Sequence, residues 1–180
     1  MIHSAMGLVH TVTAVLALLV GVLIFFRPKA SRLHRMLGYV YSASMLTMLV
    51  TAFLIYRLTG SFNVLHIFAV ISTATLGRGL YHAITRQPKG AWLDPHYYWM
   101  CWSYIGLTAA LIAETSTRVL MPYIRDYYGV RSFGWFWGIV GLASFAVVWA
   151  GQILMNRNRA LVKRWGSPAP GPAGEPPHPV

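Results

Sequence analysis

Long apolar runs constrain this chain more than any other feature. They cover about 5–26, 35–57, 63–85, 97–121 and 133–155, and each reaches the roughly 20 residues a helix needs to cross a bilayer core. The predicted fold class is therefore all-α: an integral membrane helical bundle with a four-helix core plus a fifth transmembrane helix, occupying residues 1–157. Residues 158–180 make up a basic stretch and then a Pro-rich tail. Beyond Trp165 the density of proline and glycine precludes a packed element, so this tail is expected to be disordered.

The balance of charge fits the same reading. Only 11% of the residues are charged and 56% are hydrophobic, whereas a soluble domain carries about 25% charged residues. The formal net charge of +11 would suggest nucleic acid in a soluble protein. Here the basic residues fall between apolar runs, where they set topology and meet anionic headgroups, so no nucleic-acid partner is expected. The single cysteine, Cys101, excludes an intrachain disulfide. The first apolar run has its charges, Arg27 and Lys29, after it rather than before it, and no evident A-x-A-type cleavage site, so it reads as an uncleaved span.

The links orient the spans. Arg27-Pro28-Lys29-Ala30-Ser31-Arg32-Leu33-His34-Arg35 is strongly basic, and Ser31 is placed to N-cap the second helix. The third link holds Arg86 and Lys89 and ends in Asp94-Pro95, read as an N-cap and first-turn proline. Arg157, Arg159, Lys163 and Arg164 follow the last span. The positive-inside rule then predicts a membrane protein with its N-terminus outside and its C-terminus cytoplasmic, against mild dissent from Arg118, Arg125 and Arg131. Tyr97, Tyr98, Trp99 and Trp102 at one side, and Tyr123, Tyr127, Tyr128, Trp135 and Trp137 at the other, read as interfacial belts. Tyr123–Gly129 is expected to be a short surface helix. Gly38 with Ser42 and Gly134 with Gly138 are small-x-x-x-small pairs expected at helix contacts.

Histidine is uncommon within bilayers because polar groups there are costly and usually face the bundle interior. His10 and His66 lie one to two turns inside the outer ends of spans one and three, while His34 and His96 open spans two and four from the inner side. They form two tiers. In an up-down bundle each pair is diagonal, across a gap of about 11–14 Å that two imidazoles can close around one metal. A haem b with two axial histidines is the natural occupant, with Arg32 and Arg35 beside its propionates. His82 falls opposite His66 on its helix, and so is not a second ligand on that face. The competing reading is that these histidines serve structural, lipid or proton-handling roles.

Glu114 is the one carboxylate well inside an apolar run, at a depth near that of His10 and His66. It forms either a His10/His66/Glu114 metal site or proton relay, or an intrahelical pair with Arg118 at i+4. No C-x-x-C-H, H-E-x-x-H, phosphate-binding loop, nucleophile–base pair or carboxylate dyad is evident, so no catalytic residue is assigned.

The series Leu33-His34-Arg35-Met36-Leu37-Gly38-Tyr39-Val40-Tyr41, Gly60-Ser61-Phe62 with His66, His96-Tyr97-Tyr98-Trp99-Met100 with Ser103-Tyr104, then Arg118 and Pro122, resembles a bacterial family of predicted membrane proteins of unknown function. The similarity covers roughly residues 5–125. Family members often carry arginine before the Ser-Tyr pair, where this chain has Trp102. The resemblance implies a compact multi-span bundle and no established activity. A looser similarity is to transmembrane b-type cytochromes, which also hold histidines on adjacent spans.

Three functions are carried forward. The first is electron transfer through bis-histidine haem, His10/His66 outside and His34/His96 inside, between quinol or an external acceptor and a redox partner protein. The second is a metal- or proton-handling transporter built on Glu114, His10 and His66. The third is a non-catalytic assembly protein of the membrane.

Overall fold

A computed structural model describes residues 5–27, 29, 31–55, 60–62, 64–128 and 134–166. Among them every regular element is helical: α1 (Ala5–Phe26), α2 (Arg32–Leu54), α3 (Val64–Thr85), α4 (Leu93–Thr115), α5 (Met121–Tyr128) and α6 (Gly134–Gly166). A π-helical turn, Ser116–Leu120, joins α4 to α5. The protein is an all-α bundle of the kind expected for a membrane. By length and composition α1 and α2 are apolar enough to cross a bilayer. Polar residues dilute α3, with Ser72, Thr75, Arg78 and His82 along it.

Helix α1 lies along α2 and α3 along α4, and lighter α2–α3 and α1–α4 contacts close a four-helix ring. This arrangement makes α1/α3 and α2/α4 the diagonals. Helix α6 packs outside the ring against α4. Helix α4 is thus surrounded by α1, α3 and α6, and buries residues around its circumference rather than along one stripe, including Cys101, Ser103, Ile105, Leu107 and Ala109. On α1 one face is buried, with His10, Ala17, Val20 and Gly21. The apolar residues on its other sides, such as Leu19 and Val12, are exposed to the surroundings, as a lipid-facing surface requires.

Packed side chains fill the axis of the ring. Ala17, Val20, Tyr41, Met45, Leu49, Leu76 and Leu107 form one core cluster. Within it the Tyr41 hydroxyl and the Ser103 Oγ share a hydrogen bond of 3.0 Å across the α2–α4 diagonal. Neither residue is more than 2% exposed.

The glycines that let helices approach are not the expected ones. Nothing lies within 4 Å of a Cβ placed on Gly38, Gly134 or Gly138. The close approaches fall at Gly21, where a Cβ would overlap the Tyr104 ring, at Gly79, where it would lie 2.6 Å from Met100 Sδ and 3.2 Å from its backbone nitrogen, and at Gly151, where it would lie 2.7 Å from Ile105 Cγ1. A small-x-x-x-small spacing identifies a smooth stripe but not whether that stripe meets a neighbour.

At the helix ends, Ser31 caps α2 by accepting from the His34 backbone N–H at 3.1 Å. The Lys29 ammonium covers the last carbonyls of α1, Ile24 at 2.6 Å and Phe25 at 3.1 Å. Asp94 is not the N-cap of α4. The helix starts one residue earlier, at Leu93, and the Asp94 carboxylate holds Arg159 of α6 through two bonds, Nε–Oδ1 at 2.7 Å and Nη2–Oδ2 at 2.6 Å. Helix α6 runs on to Gly166, so the basic stretch after 157 begins as helix. The Pro-rich residues 167–180, Arg57, Arg131 and the side chains of Trp135 and Trp137 lie outside the described residues.

Candidate functional site

The end of the bundle carrying the α2 C-terminus and the α3 N-terminus holds a small cavity of about 70 Å³. His10, His66, Ser72, Glu114 and Arg118 line it, with apolar Leu49, Phe68, Ala69 and Leu107 between them. Four helices converge here: α1 near its start, α2 and α4 near their ends, and α3 near its beginning. Helices α1, α3 and α4 supply its polar residues with the π-helical turn, and α2 lines it with Met48, Leu49, Ala52 and Ile55.

His10 is the best-anchored member. Its Nδ1 lies 3.1 Å from both the Met48 carbonyl and the Thr51 Oγ1. A carbonyl can only accept, so Nδ1 carries a proton and donates. The other ring nitrogen, Nε2, is 3.5 Å from Glu114 Oε2. The second carboxylate oxygen, Oε1, takes Arg118 Nη2 at 2.8 Å. Glu114 therefore bridges an imidazole and a guanidinium, one oxygen to each. Side-chain exposure rises along the series, 10% for His10, 29% for Glu114 and 36% for Arg118, so the network grades from bundle interior to surface. Arg118 sits in the π-helical turn, a distortion frequently found at functional sites.

His66 shares the cavity, is 3% exposed, and packs its ring on Phe62 with centroids 5.0 Å apart. The three-ligand metal arrangement expected of His10, His66 and Glu114 is not formed. Among the described residues no three His, Cys, Asp or Glu side chains gather closely enough to hold a metal. The carboxylate that would complete such a set is turned to Arg118 and His10.

The outer tier does not fit a haem as it is packed. Its cavity suits a few waters, each needing about 30 Å³, whereas ligand pockets run to about 300–1,000 Å³. Below it the axis is filled by Met45, Leu76 and Tyr41.

The opposite end carries the second tier. His34 lies within electrostatic reach of both Lys29 and His96. His96 Nδ1 is 2.9 Å from the Gly79 carbonyl and so donates to it, which leaves a lone pair on Nε2. His82 is likewise committed through Nδ1 to the Gln87 carbonyl at 2.6 Å. His34 Nδ1 is buried with no hydrogen-bond partner among the described residues. Lys29 is half-buried; desolvation lowers its pKa below the ordinary lysine value, and the nearby Cys101 opposes the shift. Arg32 and Arg35 are exposed. The Trp102 indole N–H, at the position where the resemblance implies an arginine in many members, is buried without a partner among the described residues.

Two contacts had no signal in the sequence. The Thr51–His10 bond joins residues 41 apart and the Asp94–Arg159 clamp residues 65 apart. Neither spacing belongs to a motif.

A bundle of long apolar helices, with His10 and His66 buried inside it, defines a helical integral membrane protein. Residues 7–150 match the family described as predicted membrane protein (DUF2306), and the chain belongs to that family, whose function is unknown. Comparison with curated proteins and with solved structures gives no match.

Proposed function

We propose that the protein is a proton-handling membrane transporter whose working site is the His10–Glu114–Arg118 network. One observation carries this reading: a carboxylate shared between imidazole and guanidinium, on a small cavity at one end of a membrane bundle. Ionisable groups within membrane spans are costly and mark ion or proton pathways. The Nδ1 proton of His10 is committed to Met48 and Thr51. The exchangeable proton is therefore the one at Nε2, facing Glu114. When Nε2 gains a proton, Glu114 is shared between two cations; when it loses that proton, the carboxylate reverts to Arg118 alone. His66 lines the same cavity as a further polar group for a hydrated ion.

The test is pH-driven proton flux in proteoliposomes. Glu114→Gln is expected to abolish flux, because the amide cannot hold the Nε2 proton by charge. Flux equal to that of the unmodified protein would overturn the proposal. In this reading the membrane is the bacterial inner membrane, with the cavity end outside and the Lys29 end facing the cytoplasm.

A second reading concerns the inner tier alone. Metal-ligating histidines usually donate one ring N–H to a carbonyl or carboxylate, and His96 does so to Gly79. That supports haem b between His34 and His96, with Arg32 and Arg35 beside its propionates and quinone or a redox protein as electron partner. Absorbance after expression with ample haem decides it, since a protein without a Soret band is not a haem protein.

A further inference from the structure

The three carboxylates among the described residues are all taken. Glu114 is held by Arg118, Asp126 by Arg125 at 3.3 Å and Asp94 by Arg159 at 2.6 Å. Two of these pairs sit at the cavity end. At the other end Asp94 is the one carboxylate among the described residues, and it holds Arg159 in a bidentate clamp, so cations outnumber carboxylates there. Arg27, Lys29, Arg32 and Arg35 crowd one link, and Arg86 and Lys89 the next. Around His34 the facing groups are Lys29 and His96, and around His96 they include His82, while Lys29 also faces the Cys101 thiol. His34 adds a buried ring nitrogen with no partner among the described residues. Like charges held this close repel one another, and an anion between them relieves that repulsion.

From this imbalance we infer that the Lys29–Arg32–Arg35 face, backed by His34, is a docking site for the phosphate of an anionic phospholipid headgroup. The location favours a lipid over an acidic protein. Lys29 covers the carbonyl end of α1, Arg32 opens α2, and both helices present apolar sides outward next to it. The site therefore lies where spans leave the hydrocarbon, at headgroup depth. Basic clusters there attract anionic lipid at about 1 kcal/mol per residue. Arg32 and Arg35 are one helical turn apart and exposed, so one diester can sit between them, with the Lys29 ammonium and the His34 ring behind.

The experiment compares full-length protein in vesicles of phosphatidylcholine with protein in equal parts phosphatidylcholine and phosphatidylglycerol. It reads thermal unfolding and the lipid retained after detergent extraction. Phosphatidylglycerol is expected to raise the unfolding temperature and to be retained preferentially, and high salt should remove both effects. The double variant Arg32→Gln/Arg35→Gln should retain phosphatidylglycerol roughly 30-fold less tightly, from two lost basic residues. Both side chains are exposed and outside the core, so folding is not at risk. Arg125→Gln, at the other end, should behave as the unmodified protein. Equal retention by the double variant, or an equal loss in Arg125→Gln, would overturn the site. A Soret band that disappears in the double variant would give these arginines to haem propionates and would also overturn it. The proton-flux result on Glu114→Gln is independent of all these outcomes.

Discussion

At the level of single residues, the most exacting contact is the hydroxyl pair Tyr41–Ser103, 3.0 Å apart and essentially fully buried. Its two members are not equivalent. A serine on a helix can turn its hydroxyl back to the carbonyl four residues earlier, here that of Trp99. The Tyr41 hydroxyl has no such local alternative. Removing Ser103 therefore strands a buried donor and acceptor, at about 1–3 kcal/mol, while removing the tyrosine hydroxyl leaves Ser103 a substitute. Ser103→Ala should destabilise the bundle more than Tyr41→Phe, and the double variant should cost less than the sum of the two. Thermal unfolding in a fixed detergent measures all three. Equal single effects with strict additivity would show that the pair contributes no coupling.

At the level of elements, α6 is attached to the ring by apolar contact and by one polar clamp. Arg159 lies 5.2 Å over the Tyr98 ring while both of its donors reach Asp94, and the Tyr97 hydroxyl donates to the Met155 carbonyl at 3.3 Å. Asp94 raises the Arg159 pKa further by accepting these bonds, so the guanidinium stays charged at any working pH. Because both partners are partly exposed, at 36% and 26%, the global stabilisation is about 1 kcal/mol or less. The local effect is larger, since the α6 segment beyond Met155 has no other polar tie to the ring among the described residues. Asp94→Asn should leave the unfolding temperature nearly unchanged and speed hydrogen exchange over 156–166. Arg159→Lys should not restore protection, as an ammonium cannot make the fork or the stack. Unchanged exchange in Asp94→Asn would mean that apolar packing alone holds the segment.

The same two contacts separate what the sequence could reveal from what it could not. Runs of apolar residues marked the helices because lipid imposes length and composition on every span. Ser31 was readable as a cap because its partner, the His34 amide, is three residues away. The Glu114–Arg118 pair was open to view as i,i+4 spacing. Asp94 misled because its local role, an N-cap before proline, was plausible and its actual partner is a helix away. The glycines misled for a related reason: Gly38 and Gly79 look alike in sequence, and only the position of Met100 distinguishes them. For the candidate site, depth along the spans put His10, His66 and Glu114 at one end. Which His10 nitrogen faces the carboxylate depends on Met48 and Thr51, and no spacing announced that.

For the molecule as a whole, the distribution of charge sets the last expectation. The rule that orients membrane proteins counts lysines and arginines near span ends rather than net charge. Among the described residues Arg27, Lys29, Arg32, Arg35, Arg86, Lys89, Arg157 and Arg159 stand at one end, against Arg118 and Arg125 at the other. The dissenters Arg118 and Arg125 are each bound to a carboxylate, which lowers the cost of leaving them on the sparse side. The basic end should therefore face the cytoplasm, with the His10–Glu114–Arg118 cavity opening on the opposite side. Cys101 is buried, so a Cys101→Ala background provides a clean start for labelling. In that background Ser61→Cys, in the exposed α2–α3 link, should react with a membrane-impermeant maleimide on intact cells, and Lys89→Cys only after the membrane is opened. The reverse pattern would place the ionisable cavity on the cytoplasmic face. The Nε2 proton of His10 would then exchange with the cell interior rather than with the outside.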